Sequence, residues 1–313
     1  DVIMDLSTIL GLGQTALELG LISGLTVLAL FLSYSMLNIC DLSTDGCFTL
    51  GAAVGATVAA AGHPYLAIAA AMASGIVSGF ITAFLQTKMG IDSLLSGIIV
   101  NTGLYSINIA IMGSSLVNLN KADTVFTKMK DLLADTVFAG QSKLAVALIA
   151  VVLVVLFLVF FLKTKLGLSI RATGNNPAMV KSSSINPVFT IIIGLCISNA
   201  FTALSGCLMA HYQKTANIDM GTGIVTIALA SLLIGRAFMG KGKLVFRIIG
   251  AVLGSFVFRL VYTIALRFNM PASMLKLVSS VIVIIAIAGP YFKKQIPNIR
   301  RKFSSKKRGG EAK

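Results

Sequence analysis

Tryptophan is absent from the 313 residues, histidine occurs twice, and Asp and Glu together number 11 against 26 Lys and Arg. Charged residues make up only 12% of the chain, about half of what a soluble domain carries, while 56% are hydrophobic and mean hydropathy is +0.92. That scarcity excludes a water-soluble globular enzyme. The four cysteines, Cys40, Cys47, Cys196 and Cys207, show neither CxxC spacing nor neighbouring histidines, so they read as small apolar packing rather than as a metal site or disulfide framework. HExxH, GxSxG and paired-carboxylate patterns are missing as well. Gly235 to Gly242 fits GxxxxGK, but Gly242 stands where Ser or Thr would hold Mg²⁺, and an apolar span rather than a strand precedes it. No cofactor, no metal and no catalytic role are expected. The formal charge of +15 is read as loop charge, not as a nucleic-acid footprint.

What the chain has in abundance is apolar runs of about 20 residues, the length that crosses about 30 Å of hydrocarbon. They fall at about 15–39, 47–62, 65–87, 93–113, 143–162, 187–212, 222–239, 244–266 and 272–289. The spacing predicts an all-α polytopic membrane protein of about nine transmembrane helices. Residues 1–289 form a single membrane domain, and 290–313 form a basic tail whose nine Lys and Arg face anionic lipid. Lys and Arg also concentrate in the 163–187 connection and the 236–247 turn. Placing all three segments in the cytoplasm puts the N-terminus outside and the C-terminus inside. The 114–142 loop then lies outside. Its Lys121, Lys128 and Lys130, balanced by Asp123, Asp131 and Asp135, suit registration with a protein partner more than attachment to lipid.

The second span follows Asp41-Leu-Ser-Thr-Asp-Gly46, a polar stretch that no lipid-facing helix carries. With one gap it resembles the stretch from Asp219, ahead of the seventh span. Two such breaks five spans apart predict an inverted repeat with broken helices entering from opposite faces. Thr49 and Thr226, just after the breaks, and mid-depth Asn101 and Asn199 are the candidates for a central passage, expected to be lined by small and apolar side chains. Arg259 and Glu18, each toward an outer end, are expected to form a structural ion pair. Gly51 to Gly55 and Gly250 to Gly254 are GxxxG patterns that predict close helix packing. An autonomous secondary transporter or channel fits these features too, although such carriers usually place carboxylates inside their spans, where only Glu18 stands here.

The 163–187 connection adds a sharper signal. Asn176-Pro177 is a helix start, with Asn as cap and Pro in the first turn, and about two turns fit before Asn186-Pro187 opens the next span. Arg171-Ala-Thr-Gly-Asn-Asn-Pro-Ala, Ile185-Asn186, Asn199-Ala-Phe-Thr-Ala-Leu-Ser-Gly-Cys-Leu, Gly221-Thr-Gly223 and Asp41-Leu-Ser43 resemble the permease subunits of bacterial ABC importers of the branched-chain amino acid and ribose type. The resemblance implies a multi-pass protein of the bacterial plasma membrane in which Arg171, Asn175, Asn176, Pro177, Ala178, Met179 and Lys181 form a coupling helix docked on a separate ABC ATPase. It also implies a second permease copy as a homodimer and an extracytoplasmic substrate-binding lipoprotein that meets Lys121, Lys128 and Lys130. Within the family the chain looks closest to tryptophan or tyrosine uptake permeases, which makes an aromatic amino acid the expected solute; a sugar or a nucleoside is the alternative. Two departures stand out: Ser182-Ser-Ser184 where relatives often have a small residue and Gly, and no additional N-terminal span of the sugar-permease kind.

Overall fold

The computed structural model describes residues 6–132, 141–239 and 242–267, together with scattered helical positions between 277 and 288. Its elements run α1 (Leu6–Leu30), a π-helical stretch (Phe31–Met36), α2 (Thr44–Ala60), α3 (Pro64–Thr87), α4 (Ser93–Met112), β1 (Leu116–Asn118), α5 (Val125–Leu132), α6 (Ser142–Phe161), α7 (Lys165–Asn175), α8 (Pro177–Ser182), α9 (Pro187–Gln213), β2 (Thr215–Asn217), α10 (Ile224–Met239) and α11 (Leu244–Arg267). Helix ends carry local signals. Asp92 caps α4 by accepting from Leu94 N–H, Gly113 closes it at φ 67, and Pro64 and Pro187 sit in first turns, where a missing N–H costs nothing.

Six helical stretches among the described residues are long and apolar enough to cross a membrane: Gly13–Met36, Pro64–Thr87, Ser93–Met112, Ser142–Phe161, Pro187–Gln213 and Leu244–Ala265. Two of the expected spans are shorter helices, α2 with 17 residues and α10 with 16. At 1.5 Å per residue each reaches about 25 Å, short of the hydrocarbon thickness, because a non-helical stretch precedes it. Most of the expected ninth span, and the basic tail, lie outside the described residues.

The helix α9 runs through the centre, packed on α3, α2 and α1. Small residues let the backbones close in. A Cβ on Gly51 would lie 2.0 Å from the Ala203 carbonyl oxygen, and one on Gly254 would lie 2.0 Å from that of Ser231, so both GxxxG patterns mark tight helix contacts. Serines bridge the seam between α9 and α1: Ser198 Oγ donates to the Ala29 carbonyl at 2.8 Å, and Ser205 Oγ to that of Ile22 at 2.7 Å. With no water in the surrounding hydrocarbon, such side chains must find partners within the bundle.

At the C-terminal end of α9, β1 and β2 form an antiparallel ribbon with Leu116 opposite Asn217. Beside it Phe126 of α5 meets the Tyr212 ring edge-on at 5.8 Å. The expected Glu18–Arg259 pair is absent. Glu18 accepts from Tyr212 Oη at 2.9 Å and Gln14 Nε2 at 3.1 Å, whereas Arg259 Nε donates to Ser23 Oγ at 3.3 Å and its guanidinium lies over the Tyr262 ring. Each charge is met by a nearer partner.

Candidate functional site

The first break folds around Asp41, whose carboxylate is fully buried. Its Oδ1 accepts from Ser43 N–H at 2.8 Å and Ser43 Oγ at 2.6 Å, and its Oδ2 accepts from Asn199 Nδ2 at 3.0 Å. A buried carboxylate is tolerable only with such a full set of donors. The turn this creates releases the chain into α2 with Asp45 in the first turn.

Asp45 then reaches the second break. Its Oδ2 accepts from Gly223 N–H and its Oδ1 from Val225 N–H, both at 2.9 Å, while Thr49 Oγ1 accepts from Gly221 N–H at 3.1 Å. These amides open α10, where the first N–H groups have no intrahelical partner and carry the positive end of the helix dipole. A carboxylate from one helix start therefore caps the other. Gly223 has φ +83, in the left-handed region, and Gly221 leaves room for the Asp45 carbonyl oxygen, which a Cβ would approach to 2.0 Å. The two breaks, expected to enter from opposite faces, meet here.

A cavity of about 420 Å³ opens at this junction, between the start of α2, one face of α4 and the stretch from Ile218 to Thr222. Thr49 and Asn101 line it, with Asp45, Thr102, Tyr105, Ser106, Asn108 and Asp219. Asn199 does not: it is fully buried and committed to Asp41. Thr226 is exposed on α10 and lies outside the lining. Most of the lining side chains are polar, and two are carboxylates. Asn101, Tyr105 and Asn108 stand at helical spacings of four and three, so they share one face of α4; that stripe was the available sequence signal for Asn108. Asn108 is 1% exposed and donates from Nδ2 to the Gly46 carbonyl at 3.2 Å, leaving its Oδ1 without a partner.

At the opposite end of α9 the 163–187 connection forms two helices rather than one. Thr164 caps α7, accepting from Gly167 N–H, and Asn176 caps α8, accepting from Met179 N–H at 3.1 Å. Asn186 in turn caps α9 through Val188 N–H at 3.0 Å. Val180 anchors α8 inward at 2% exposure, while Asn175, Asn176, Pro177, Ala178, Met179 and Lys181 are exposed, Met179 at 65%. Arg171 is half-buried on α7. Helix α8 ends at Ser182, and Ser184 takes φ 60, so the serine run is the turn into α9. Beneath, the Thr173 and Thr190 hydroxyls bond at 2.8 Å, and Gly174 packs so closely that a Cβ there would meet the Met36 carbonyl oxygen at 1.9 Å. Helix α7 thus rests on the π-helical end of the first span.

In the 114–142 loop, Lys121 and Lys130 are exposed, but Lys128 Nζ pairs with Asp123 Oδ2 at 2.7 Å. That carboxylate holds the Lys128 ammonium above its ordinary range. The loop carries the sequence Ala-Asp-Thr-Val-Phe twice, at 122–126 and 134–138; the first copy packs inward through Val125 and Phe126, and the second lies outside the described residues.

Residues 14–287 match the family described as branched-chain amino acid transport system / permease component. A tyrosine transport system permease protein of Clostridioides difficile (strain R20291) is 34% identical over 270 residues, covering 86% of this chain and 88% of the relative. An uncharacterized protein of Rickettsia prowazekii (strain Madrid E) is 30% identical over 278 residues, 88% of this chain and 96% of its own. The ribose import permease of Escherichia coli (strain K12) is 27% identical over 223 residues, 69% of this chain and 67% of the relative. No solved structure matches significantly. With six long apolar helices among its described residues and a family match over most of its length, the chain belongs to the branched-chain amino acid transport permease family and is a multi-pass ABC transporter permease of the bacterial plasma membrane.

Proposed function

We propose that the chain forms the solute path of an ATP-driven importer, with energy entering from a separate ATPase docked on α8 and solute delivered by an extracytoplasmic binding protein. The observation that carries this reading is α8 itself: a capped six-residue helix, exposed from its Asn176 cap to Met179 and anchored by Val180 between α7 and α9. Such a helix projects a rigid knob for a groove on a partner. The chain then spans the membrane about nine times, N-terminus outside and C-terminus inside, and the breaks at Asp41 and Asp219 belong to an inverted repeat. Residues 1–289 are the permease domain, with 114–142 the outer docking loop, 163–187 the coupling segment and 290–313 a tail against anionic lipid.

Two copies are proposed to meet along α4, because Tyr105 and Ser106 are exposed at mid-helix, where lipid would leave their polar groups unsatisfied. The cavity holding Thr49 and Asn101 then opens toward the shared axis. The relative named for tyrosine transport, similar over most of both chains, supports an aromatic amino acid as solute. A sugar is the second reading, favoured by the ribose permease at lower identity and coverage.

The test is a charge on the knob. Ala178→Glu or Met179→Glu should leave the permease inserted and folded while abolishing ATPase binding and uptake in the reconstituted complex. Uptake at the parent rate in both variants would overturn the docking of the ATPase on α8.

A further inference from the structure

The carboxylates that line the cavity are Asp45 and Asp219; no Lys, Arg or His is among the lining residues. Asp45 is occupied, with both oxygens accepting from the amides that open α10. Asp219 is exposed, and its carboxylate has no hydrogen-bond partner among the described residues. Its backbone is what holds the turn: its N–H donates to Asn217 Oδ1, and its carbonyl accepts from Thr222 N–H. A free carboxylate at a cavity wall favours a cation there, all the more because no fixed positive side chain competes.

Helix α4 supplies an independent observation. Asn108 lines the same cavity, and its Nδ2 is committed to the Gly46 carbonyl, which fixes the amide plane and leaves Oδ1 as an unpartnered acceptor on a side chain 1% exposed. An unmade buried acceptor of this kind is costly, and only a donor relieves it. Asn101, two turns away on the same face, also has no hydrogen-bond partner among the described residues. Free acceptors thus converge from two elements that the fold brings together, and beside them Tyr105 and Ile218 offer apolar surface.

We infer that the cavity receives its solute through a primary ammonium group, held by the Asp219 carboxylate and by the free amide oxygens of α4, with Tyr105 and Ile218 against the apolar remainder. An ammonium brings three donors and one positive charge, matching what the lining leaves unmet. Amines and zwitterionic amino acids are retained; ring compounds of equal size without the ammonium are not. This rests on the cavity being the solute path, and it narrows the solute class of that path.

The experiment uses the full chain in lipid nanodiscs without any binding protein, so that selection by that partner plays no part. Thr102→Cys, on the exposed wall, is treated with a water-soluble thiol reagent, with the parent chain as background; Thr222→Cys, across the cavity from α4, is the second reporter if the first does not fold. Labelling should be slowed by tyrosine and by tyramine, and left unchanged by 4-hydroxyphenylpropionate, which keeps the ring and loses the ammonium. In the Asp219→Asn background the tyramine concentration giving half protection should rise about tenfold or more, as expected for the loss of a charge-assisted bond. Labelling that occurs but is slowed equally by 4-hydroxyphenylpropionate or by ribose, or protection by tyramine that Asp219→Asn leaves unchanged, would overturn the ammonium assignment and leave the passage standing. Failure of both reporters to label at all would overturn the passage, and the assignment with it.

Discussion

Asp45 and Gly223 lie 178 positions apart in sequence and 2.9 Å apart in space, joined by a hydrogen bond from the glycine amide to the aspartate carboxylate. With the parallel bond from Val225 it makes the start of α10 dependent on the start of α2. Neither helix is long enough to span the bilayer, and this junction ties the two short helices together.

Removing that cap should be felt in both stability and transport. Asp45→Ala strands two amides at a helix start inside the bundle and should cost about 2–4 kcal/mol, since each bond to a charged group contributes about 1.5–3 kcal/mol and part is recovered by relaxation. Asp45→Asn keeps one acceptor and should lose about half as much. Chemical unfolding in detergent, compared with uptake in vesicles, checks the order; an Ala variant as stable as the parent would show that the cap is dispensable.

Asn199 is expected to act as a support for Asp41 rather than as a wall of the path. Asn199→Ala leaves one oxygen of a fully buried carboxylate without its donor, a loss of about 1.5–3 kcal/mol, and should reduce folded yield before it changes solute preference. Competition among solutes by the purified variant, alongside its melting temperature, separates the two roles. A variant with parental stability and altered preference would move Asn199 into the path.

The seat of α7 on the first span should be sensitive to a single methyl group. Gly174→Ala places a Cβ where the Met36 carbonyl oxygen already stands, so one backbone must give way at about 1–3 kcal/mol. The expected phenotype is a permease that still binds its ATPase but transports less per ATP hydrolysed. The ratio of solute moved to phosphate released, measured in proteoliposomes, is the readout, and a parental ratio would rule this contact out of the coupling route.

At the other end, the three loop lysines should not behave alike. Lys121→Glu and Lys130→Glu expose new negative charge and should slow delivery by a loaded binding protein, more so at low ionic strength. Lys128→Glu first breaks the ion pair with Asp123 and sets two like charges together, so its effect should be rescued by Asp123→Lys in the double variant. Initial uptake rates for the series at two salt concentrations test this. Equal, salt-independent effects of all three single variants would argue against a docking role for the loop.

The local features of this fold were legible in the sequence because their signals are local. Asn176-Pro177 and Asn186-Pro187 announce two caps that the structure forms, and the GxxxG pairs announce contacts that it makes. Helix α7 was not legible: Gly167 and Gly174 each lower helix propensity by about 1 kcal/mol, and the segment reads as loop, although both glycines are there for backbone contact. The Asp45 bond could not be read, since it joins positions with no periodic relation. For Arg259 and Glu18 charge alone suggested a partnership, while a serine, a tyrosine hydroxyl, a tyrosine ring and a glutamine stood closer. The cavity was half legible: Thr49 and Asn101 were within reach of polarity arguments, whereas Asn199 is equally polar and equally deep but is turned to a structural task.

The contact between Gly174 and Met36 has no side chain in it. Most interhelical contacts possess slack, because a side chain can hop between rotamers and absorb a displacement of an ångström before the backbone beyond it feels anything. Here backbone meets backbone, and that compliance is missing. A push on α8 that tilts α7 would reach Met36 at nearly its full amplitude, and seven residues of turn and helix start separate Met36 from Thr44 at the head of α2. The stroke delivered to the junction is then set by rigid geometry rather than by side-chain statistics, so it should scale with the displacement at the knob and show little dependence on temperature.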